Sequence, residues 1–424
     1  MGQMSSQAIH GVWWTPSDPA SKSPGLLTWD PPHRPRLSLV GSNHPPISSD
    51  TIPMMLGDVG RHGYMTLLGC TSTGSTLGLT YEPSFSVAQA LTRVHLDDPM
   101  DPFIRRIEME VPALALLLGP DPLAFKRRPT SRAKELHISL DKRKAKWRSD
   151  GIDIEAHYDW LADHSRLGMD VQMRPQIYLS SARSWPLSYW WDEWLVPLND
   201  FLQVASGWRF RPKSIRCWTK KHISRMERSK DGLELWSSGV DPNESVEFDH
   251  RQRPHPLITI DQLQAAQLHN VIGLAQQFAA SQEVFLSLLA SVLTDIDRPL
   301  RNRYLDVISA IEAFDSRKNG RGPVDPGVFK VARKSAIAAV GDPVARKFIR
   351  RWLMNRADYS LEDRLRRLQK ATGNPTWSVS ATDMAKLRND IAHGNAHPNG
   401  DRLRNAYDQA IQAARRSALI EMGL

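Results

Sequence analysis

Apolar and polar positions alternate in short runs through the first 125 residues, as in Leu37-Ser-Leu-Val-Gly41, Tyr64-Met-Thr-Leu-Leu-Gly-Cys70 and Ile104-Arg-Arg-Ile-Glu-Met-Glu-Val111. Alternation of this kind, rich in threonine and valine, favours strands over helices. Pro31, Pro32, Pro35, Pro45 and Pro46 break any helical reading. Residues 126–255 read as mixed, with Trp185, Trp190, Trp191, Trp194, Trp208 and Trp218 in a short span. Tryptophan at that density is more often core or an interdomain seam than a ligand cage. Within this span, Ser184 to Phe201 begins a helix carrying Trp191, Leu195 and Leu198 on one side. Asp241 to Pro256, with three prolines and several charges, reads as a linker.

From residue 261 the period becomes helical. Leu263, Ala266, Ile272 and Ala275 lead into Val284, Leu286, Leu288, Leu289, Val292 and Leu293, with a break near Ala280-Ser281. Arg303 to Asp315 places Leu305, Ile308, Ile311 and Phe314 at helical spacing, and Asn319-Gly320 stops it. Val328 to Val340 and Pro343 to Leu353 follow. Ser360-Leu-Glu-Asp363 is a capping box that opens a helix with Leu361, Leu365 and Leu368 inward. Arg364, Arg366, Arg367 and Lys370 are then expected largely outside. Thr382 to His393, stopped by Gly394, and Asp401 to Met422 complete the set. The expected fold class is α+β and multidomain: a β-rich region over 1–125, a tryptophan-rich mixed region over 126–255, and an all-α bundle over 261–424.

A chain of 424 residues is too long for one core, which agrees with that division. Two cysteines, Cys70 and Cys217, cannot build a disulfide framework, so reduced thiols and a cytoplasmic location are expected. Spanning a bilayer takes ~20 consecutive apolar residues. The best run, Val111 to Gly119, is shorter and contains a proline, and the N-terminus lacks the pattern of a secretion signal.

Lysine and arginine total 55 against 46 acidic residues, a formal charge of +9 that makes a polyanionic partner plausible. Residues 261–424 hold 24 basic and 17 acidic side chains, so a nucleic-acid contact is first sought there. Two local clusters lie earlier, Lys126 to Arg148 and Arg209 to Lys230. The second is interleaved with Trp208, Phe210 and Trp218, a mixture that suits stacked bases beside phosphates, although a charge run is usually a solvated face.

The chain carries neither a phosphate-binding P-loop nor a dinucleotide fingerprint. His393 and His397 have a helical metal-ligand spacing, but Gly394 and Pro398 interrupt the helix, and no metal or cofactor is expected. Asp192 and Glu193 are adjacent, which does not set them facing one another as a glycosidase pair. What remains is Arg388-Asn-Asp-Ile-Ala-His393. Asn389 and His393, four apart, share a helix face, and the long Arg388 side chain can reach the same patch. An arginine fork grips a phosphate bidentately, and an imidazole titrating near ~6.5 can take or give a proton at neutral pH. Together these groups suit metal-free RNA cleavage. By spacing alone the pattern is weak: Arg132 to His137 repeats the interval, and Arg216 to His222 has one residue more. An exposed helix end with a solvated Arg and His fits the spacing equally well.

In context, Arg388-Asn-Asp-Ile-Ala-His-Gly394 resembles the motif of the HEPN superfamily, an arginine followed after four to six residues by histidine. Arg303 to Phe314 looks like the superfamily's earlier helix. Gly11-Val-Trp-Trp14, Pro24-Gly-Leu-Leu-Thr28, Leu37-Ser-Leu-Val-Gly41 and Met65-Thr-Leu-Leu-Gly-Cys70 are similar to the N-terminal domain of ApeA-type antiphage abortive-infection proteins. The two resemblances together cover most of the chain. They imply a metal-independent endoribonuclease with RNA, tRNA among the candidates, as substrate. They also imply a homodimer, or a higher oligomer of dimers, that brings two histidines together. Arg388 and His393 are then catalytic, with Asn389 positioning the histidine and Glu312 either orienting Arg388 across the bundle or standing as a plain surface carboxylate. Arg364, Arg367 and Lys370 are candidates to hold the RNA backbone. The β-rich part would sense an infection cue, a phage-derived trigger among them, or restrain the nuclease. The alternative is a non-catalytic RNA-binding or dimerisation scaffold.

Overall fold

The computed structural model describes residues 7–41, 51–60, 63–77, 81–118, 123–129, 134–140, 144–149, 151–165, 168–208, 211–219, 232–243, 256–259, 262, 269–294, 298–320, 322–352, 358–373, 377–394 and 399–424. They fall into two compact units. One is built from residues up to Leu202 and from Trp208–Gly273, the other from Gln203–Gly207 and Leu274–Leu424. The first is β-rich and the second all-helical, the α+β arrangement expected.

In the β-rich unit, six antiparallel strands close on themselves: β1 (Gln7–Thr15), β2 (Asp18–Trp29), β3 (Arg36–Leu39), β4 (Thr51–Asp58), β5 (Tyr64–Leu77) and β6 (Tyr81–Thr92). The pairing runs β6-β3-β2-β1-β4-β5 and returns from β5 to β6, leaving no open edge among the six. Every second residue points inward, so Trp13, Leu27, Leu37, Leu39, Met55, Met65, Leu67, Phe85 and Val87 are buried. The four N-terminal motifs quoted above lie on or at the ends of β1, β2, β3 and β5, and the first three pair directly, Gly11 with Gly25 and Gly25 with Leu39. They encode the barrel interior. Gly57 shows why: a Cβ there would collide with the buried Trp13 ring.

The same sheet continues from β6 through β14 (Leu233–Ser237), β13 (Ser214–Thr219), β7 (Ile104–Glu110), β12 (Gly168–Trp185) and β11 (Ile152–Ser165) to β10 (Lys144–Ser149). A separate hairpin pairs β8 (Leu123–Pro129) with β9 (Lys134–Leu140). On the open portion one face carries Ile107, Met109, Ile154, Ile177, Leu179 and Ile215, all buried. The helical stretch expected from Ser184 is present as α2 (Leu187–Tyr189), a π-helical segment (Trp190–Leu195) and α3 (Val196–Ser206). It buries Leu187, Trp190, Trp194, Leu198 and Phe201, and the Trp190 indole donates to Ile104 O at 3.1 Å. A short α1 (Leu114–Leu118) precedes β8. Of the six clustered tryptophans, Trp190, Trp194 and Trp218 are buried and Trp185, Trp191 and Trp208 half-buried, while Trp29 stacks on Trp236 at 5.0 Å. Trp218 therefore offers no face to a nucleobase, and most of the basic run that follows it, 220–231, lies outside the described residues. So does most of the expected linker. Cys70 and Cys217 are free thiols, and burial pushes both up to about 12.

The helical unit comprises α4 (His269–Ser281), α5 (Glu283–Thr294), α6 (Leu300–Asn319), α7 (Pro326–Ala339), α8 (Pro343–Trp352), α9 (Leu361–Ala371), α10 (Ala381–Ala392) and α11 (Gly400–Glu421). Its organising element is α6, which packs against α5, α9, α10 and α11. Tyr304, Val307, Ile308, Ile311 and Phe314 follow helical spacing down its buried side. Phe278, Phe285 and Phe314 form one aromatic cluster, and the Tyr304 hydroxyl donates to Met384 O at 2.8 Å, tying α6 to α10. Among the described residues no helix is long and apolar enough to cross a membrane.

The turn Gln203–Gly207 at the end of α3 belongs to this unit. Arg415 of α11 is buried there, with Nε donating to Val204 O at 2.7 Å and Nη2 to Ala205 O at 3.0 Å. A cation satisfying the last carbonyls of a helix is well placed against its dipole. Burial still pushes the guanidinium down to about 10.

Candidate active site

Helix α10 starts where the Ser380 side chain accepts from Asp383 N and its hydroxyl donates to Asp383 Oδ2 at 2.7 Å. It ends at His393, whose N–H reaches Asn389 O at 3.0 Å, because Gly394 turns the chain with φ +70°. The bond from His393 to Asn389 sets these two residues on one face in the last turn. Both are exposed. Arg388 is half-buried beside them, and its Nη1 donates to Asn389 Oδ1 at 3.2 Å.

Across from α10, α6 presents Glu312. Its Oε2 lies 3.5 Å from Arg388 Nη2, with both side chains about one-third exposed, 33% and 35%. A pair this wet contributes little to stability, about 0–1 kcal/mol. Among the described residues no hydrogen bond reaches the His393 imidazole, and His397 lies outside them. Nor do the described residues contain a cluster of three His, Cys, Asp or Glu side chains able to hold a metal.

The expected phosphate contacts need correction. Arg364 is buried, not outside: its Nη1 donates to Asp315 Oδ2 at 2.8 Å and to Ser316 Oγ at 2.7 Å. Arg367 grips the same carboxylate bidentately at 3.0 and 2.6 Å and stacks its guanidinium over Tyr359 at 3.8 Å. The hydrogen bonds to Asp315 raise the Arg367 pKa above its ordinary value. The cause is Asp315 itself, 3% exposed on the inner side of α6. A buried carboxylate must be paired, and it draws both arginines inward. Lys370 alone of the three is exposed. Asp315 and Arg415 escaped the sequence reading, although a signal existed. Each occupies the apolar stripe of its helix, Asp315 after Ile311 and Phe314, Arg415 between Ala414 and Ala418.

A cleft of about 570 Å³ opens on the polar face of the open sheet, lined by Arg106, Lys146, Arg148, Asp153, Glu155 and Tyr178 among others. Its charges answer one another across strands: Lys146 with Glu155 at 3.3 Å, Arg148 with Asp153 at 3.5 Å, and Arg106 over the Tyr178 ring at 4.3 Å. The exposed, adjacent Asp192 and Glu193 lie elsewhere, on the π-helical segment.

Residues 8–266 match the family described as ApeA N-terminal domain 1. No curated protein and no solved structure matches the chain.

Proposed function

The chain belongs to the ApeA family of abortive-infection, antiphage proteins, and on that premise we propose that its helical unit is a metal-independent RNA endonuclease of HEPN type. The observation that carries the reading is an exposed imidazole, His393, at the end of the helix that carries Arg388 five residues earlier, with Glu312 at 3.5 Å from that arginine. The His393 imidazole takes the proton from a ribose 2′-OH. The freed oxygen attacks the adjacent phosphorus as the bond to the 5′-oxygen breaks. Arg388 neutralises the charge that develops on the phosphoryl oxygens, and Asn389 supports the Arg388 fork from the exposed side.

The leaving 5′-oxygen needs a proton from a second acid. Each chain supplies one histidine at the motif, so the acid is His393 of a second copy, which makes a symmetric dimer the working form. The products are a 2′,3′-cyclic phosphate and a 5′-hydroxyl, and DNA resists for want of the attacking hydroxyl. tRNA is among the RNAs to be tested as substrate. The β-rich unit restrains the nuclease until an infection cue, a phage-derived trigger among the candidates, is sensed in the cytoplasm.

A scaffold without catalysis draws on one observation, the lack of a hydrogen-bonded orienting partner for His393 among the described residues. His393→Ala separates the two readings. The enzyme loses cleavage by about 10²–10⁴-fold with fold and RNA binding intact, and the wild type works in EDTA. Unchanged phage protection by the variant would leave only the scaffold.

A further inference from the structure

The positive charge of the helical region has a narrow seat. Of the 24 basic residues in 261–424, seven fall between Pro326 and Trp352, against one acid, Asp342. The other 17 basic and 16 acidic side chains of that stretch nearly cancel. Helices α7 and α8 thus carry a formal +6 of the +9 of the whole chain.

These two helices form a hairpin whose main packing is on itself. Arg333 Nη2 donates to Arg350 O at 3.2 Å and Arg346 Nε to Val340 O at 2.9 Å, which fixes the pair. The nearby acids sit at the two helix starts. Asp325 caps α7 through Gly327 N and Val328 N, and Asp342 accepts from Val344 N and Ala345 N at the start of α8. Lys330, Lys334, Lys347 and Arg350 face solvent. On the same two helices Val328, Val331, Val344 and Phe348 remain 60–76% exposed.

We propose that this hairpin, in place of the inward-drawn Arg364 and Arg367, grips single-stranded RNA. Phosphates lie on Lys330, Lys334, Lys347 and Arg350, and a base rests on Phe348. The inference rests on the nuclease reading of the same unit and names its substrate-holding surface. A second copy is disfavoured as the occupant because two surfaces of +6 repel. An anionic bilayer is disfavoured because two exposed apolar side chains per helix are too few for an interfacial anchor.

The test uses the full chain carrying His393→Ala, so that RNA is held and not cut. Binding of fluorescein-labelled oligo(U) and oligo(A) of about 20 nucleotides is followed by anisotropy from about 50 to 300 mM salt. Replacing Lys330, Lys334, Lys347 and Arg350 by Gln weakens binding by about tenfold or more. It also lowers the slope of log affinity against log salt by about 3, at ~0.7 for each lost single-strand phosphate contact. The pairwise variants K330Q/K334Q and K347Q/R350Q each give about half the slope change and cover any failure of the fourfold variant to fold. Phe348→Ala weakens binding roughly tenfold with the slope kept.

Unchanged affinity and slope in both paired variants overturn the proposal. So does binding to phosphatidylserine vesicles that the substitutions abolish while RNA binding persists. Wild-type protein that binds RNA through the hairpin yet cleaves nothing sinks the nuclease reading alone. Cleavage with RNA binding indifferent to these substitutions sinks the hairpin alone.

Discussion

Glu312 and Asp315 lie one turn apart on α6 and hold arginines of two different helices, Arg388 of α10 at 3.5 Å in partly wet surroundings and Arg364 of α9 at 2.8 Å in the interior. The same chemical pair has two physical meanings here, set by water. At Glu312 the ion pair is screened by water. At Asp315 both partners are withdrawn from solvent and serve the fold.

Glu312→Gln is accordingly expected to reduce RNA cleavage about tenfold through kcat while shifting stability by no more than about 0.5 kcal/mol. Arg388→Lys does not restore activity, because an ammonium cannot span two phosphoryl oxygens as the fork does. Single-turnover kinetics beside a thermal melt check both points. A melt lowered in step with activity would assign Glu312 to the fold instead.

Asp315→Asn leaves the Arg364 and Arg367 guanidinium groups facing a neutral amide, one of them fully buried. A loss of about 3 kcal/mol in denaturant unfolding is expected. Asp315→Leu combined with Arg364→Met recovers much of that loss, since the pair is then replaced by apolar volume.

Burial raises the Asp200 carboxyl in α3 to about 6 from an ordinary 3.8. A carboxyl whose folded pKa lies above its unfolded value favours the folded state when protonated. Its contribution therefore declines as pH rises from about 4 to about 6 and stays unfavourable above that. Asp200→Asn is expected to gain about 1–2 kcal/mol at pH 8, and the gain vanishes near pH 4. Urea titrations at the two pH values read the difference directly.

Gly207 and Gly394 share a left-handed backbone, φ +73° and +70°, in different company. Alanine at Gly394 meets open space and costs about 1 kcal/mol of backbone strain. At Gly207 the new Cβ also collides with the Arg415 guanidinium, so about 2 kcal/mol or more is expected. Equal losses in the two variants would mean that the Arg415 contact adapts freely.

Much of the helical unit is legible from sequence because its cues are local. The Ser360–Asp363 capping box, the stop at Gly320 and the turn at Gly394 each depend on a few neighbouring residues. The barrel's strands were legible by alternation, but its closure was not. The β5–β6 and β3–β6 ladders meet on one strand by pairings that no local pattern specifies. Residues 126–185 read as mixed although β11 and β12 form a long ladder from Ile152 to Ser181, since tryptophans and charges obscure the buried Ile152, Ile154 and Ala156 alternation. The site shows the same divide. Asn389 and His393 share a face because helix geometry alone requires it, whereas the burial of Arg364 follows from a carboxylate 49 residues away in sequence. Amphipathic periodicity tells which side a cation starts from and is silent on what lies across from it.

The anchoring of Arg415 on Val204 and Ala205, with Gln203 Nε2 bonded to Ala290 O at 2.9 Å, bears on how the helical unit could be cut from the chain. Clipping it after residue 266 would strand a buried guanidinium with no oxygen to meet it and strip the bundle of a helical turn it counts as its own. Release of a folded C-terminal piece by proteolysis is thereby disfavoured.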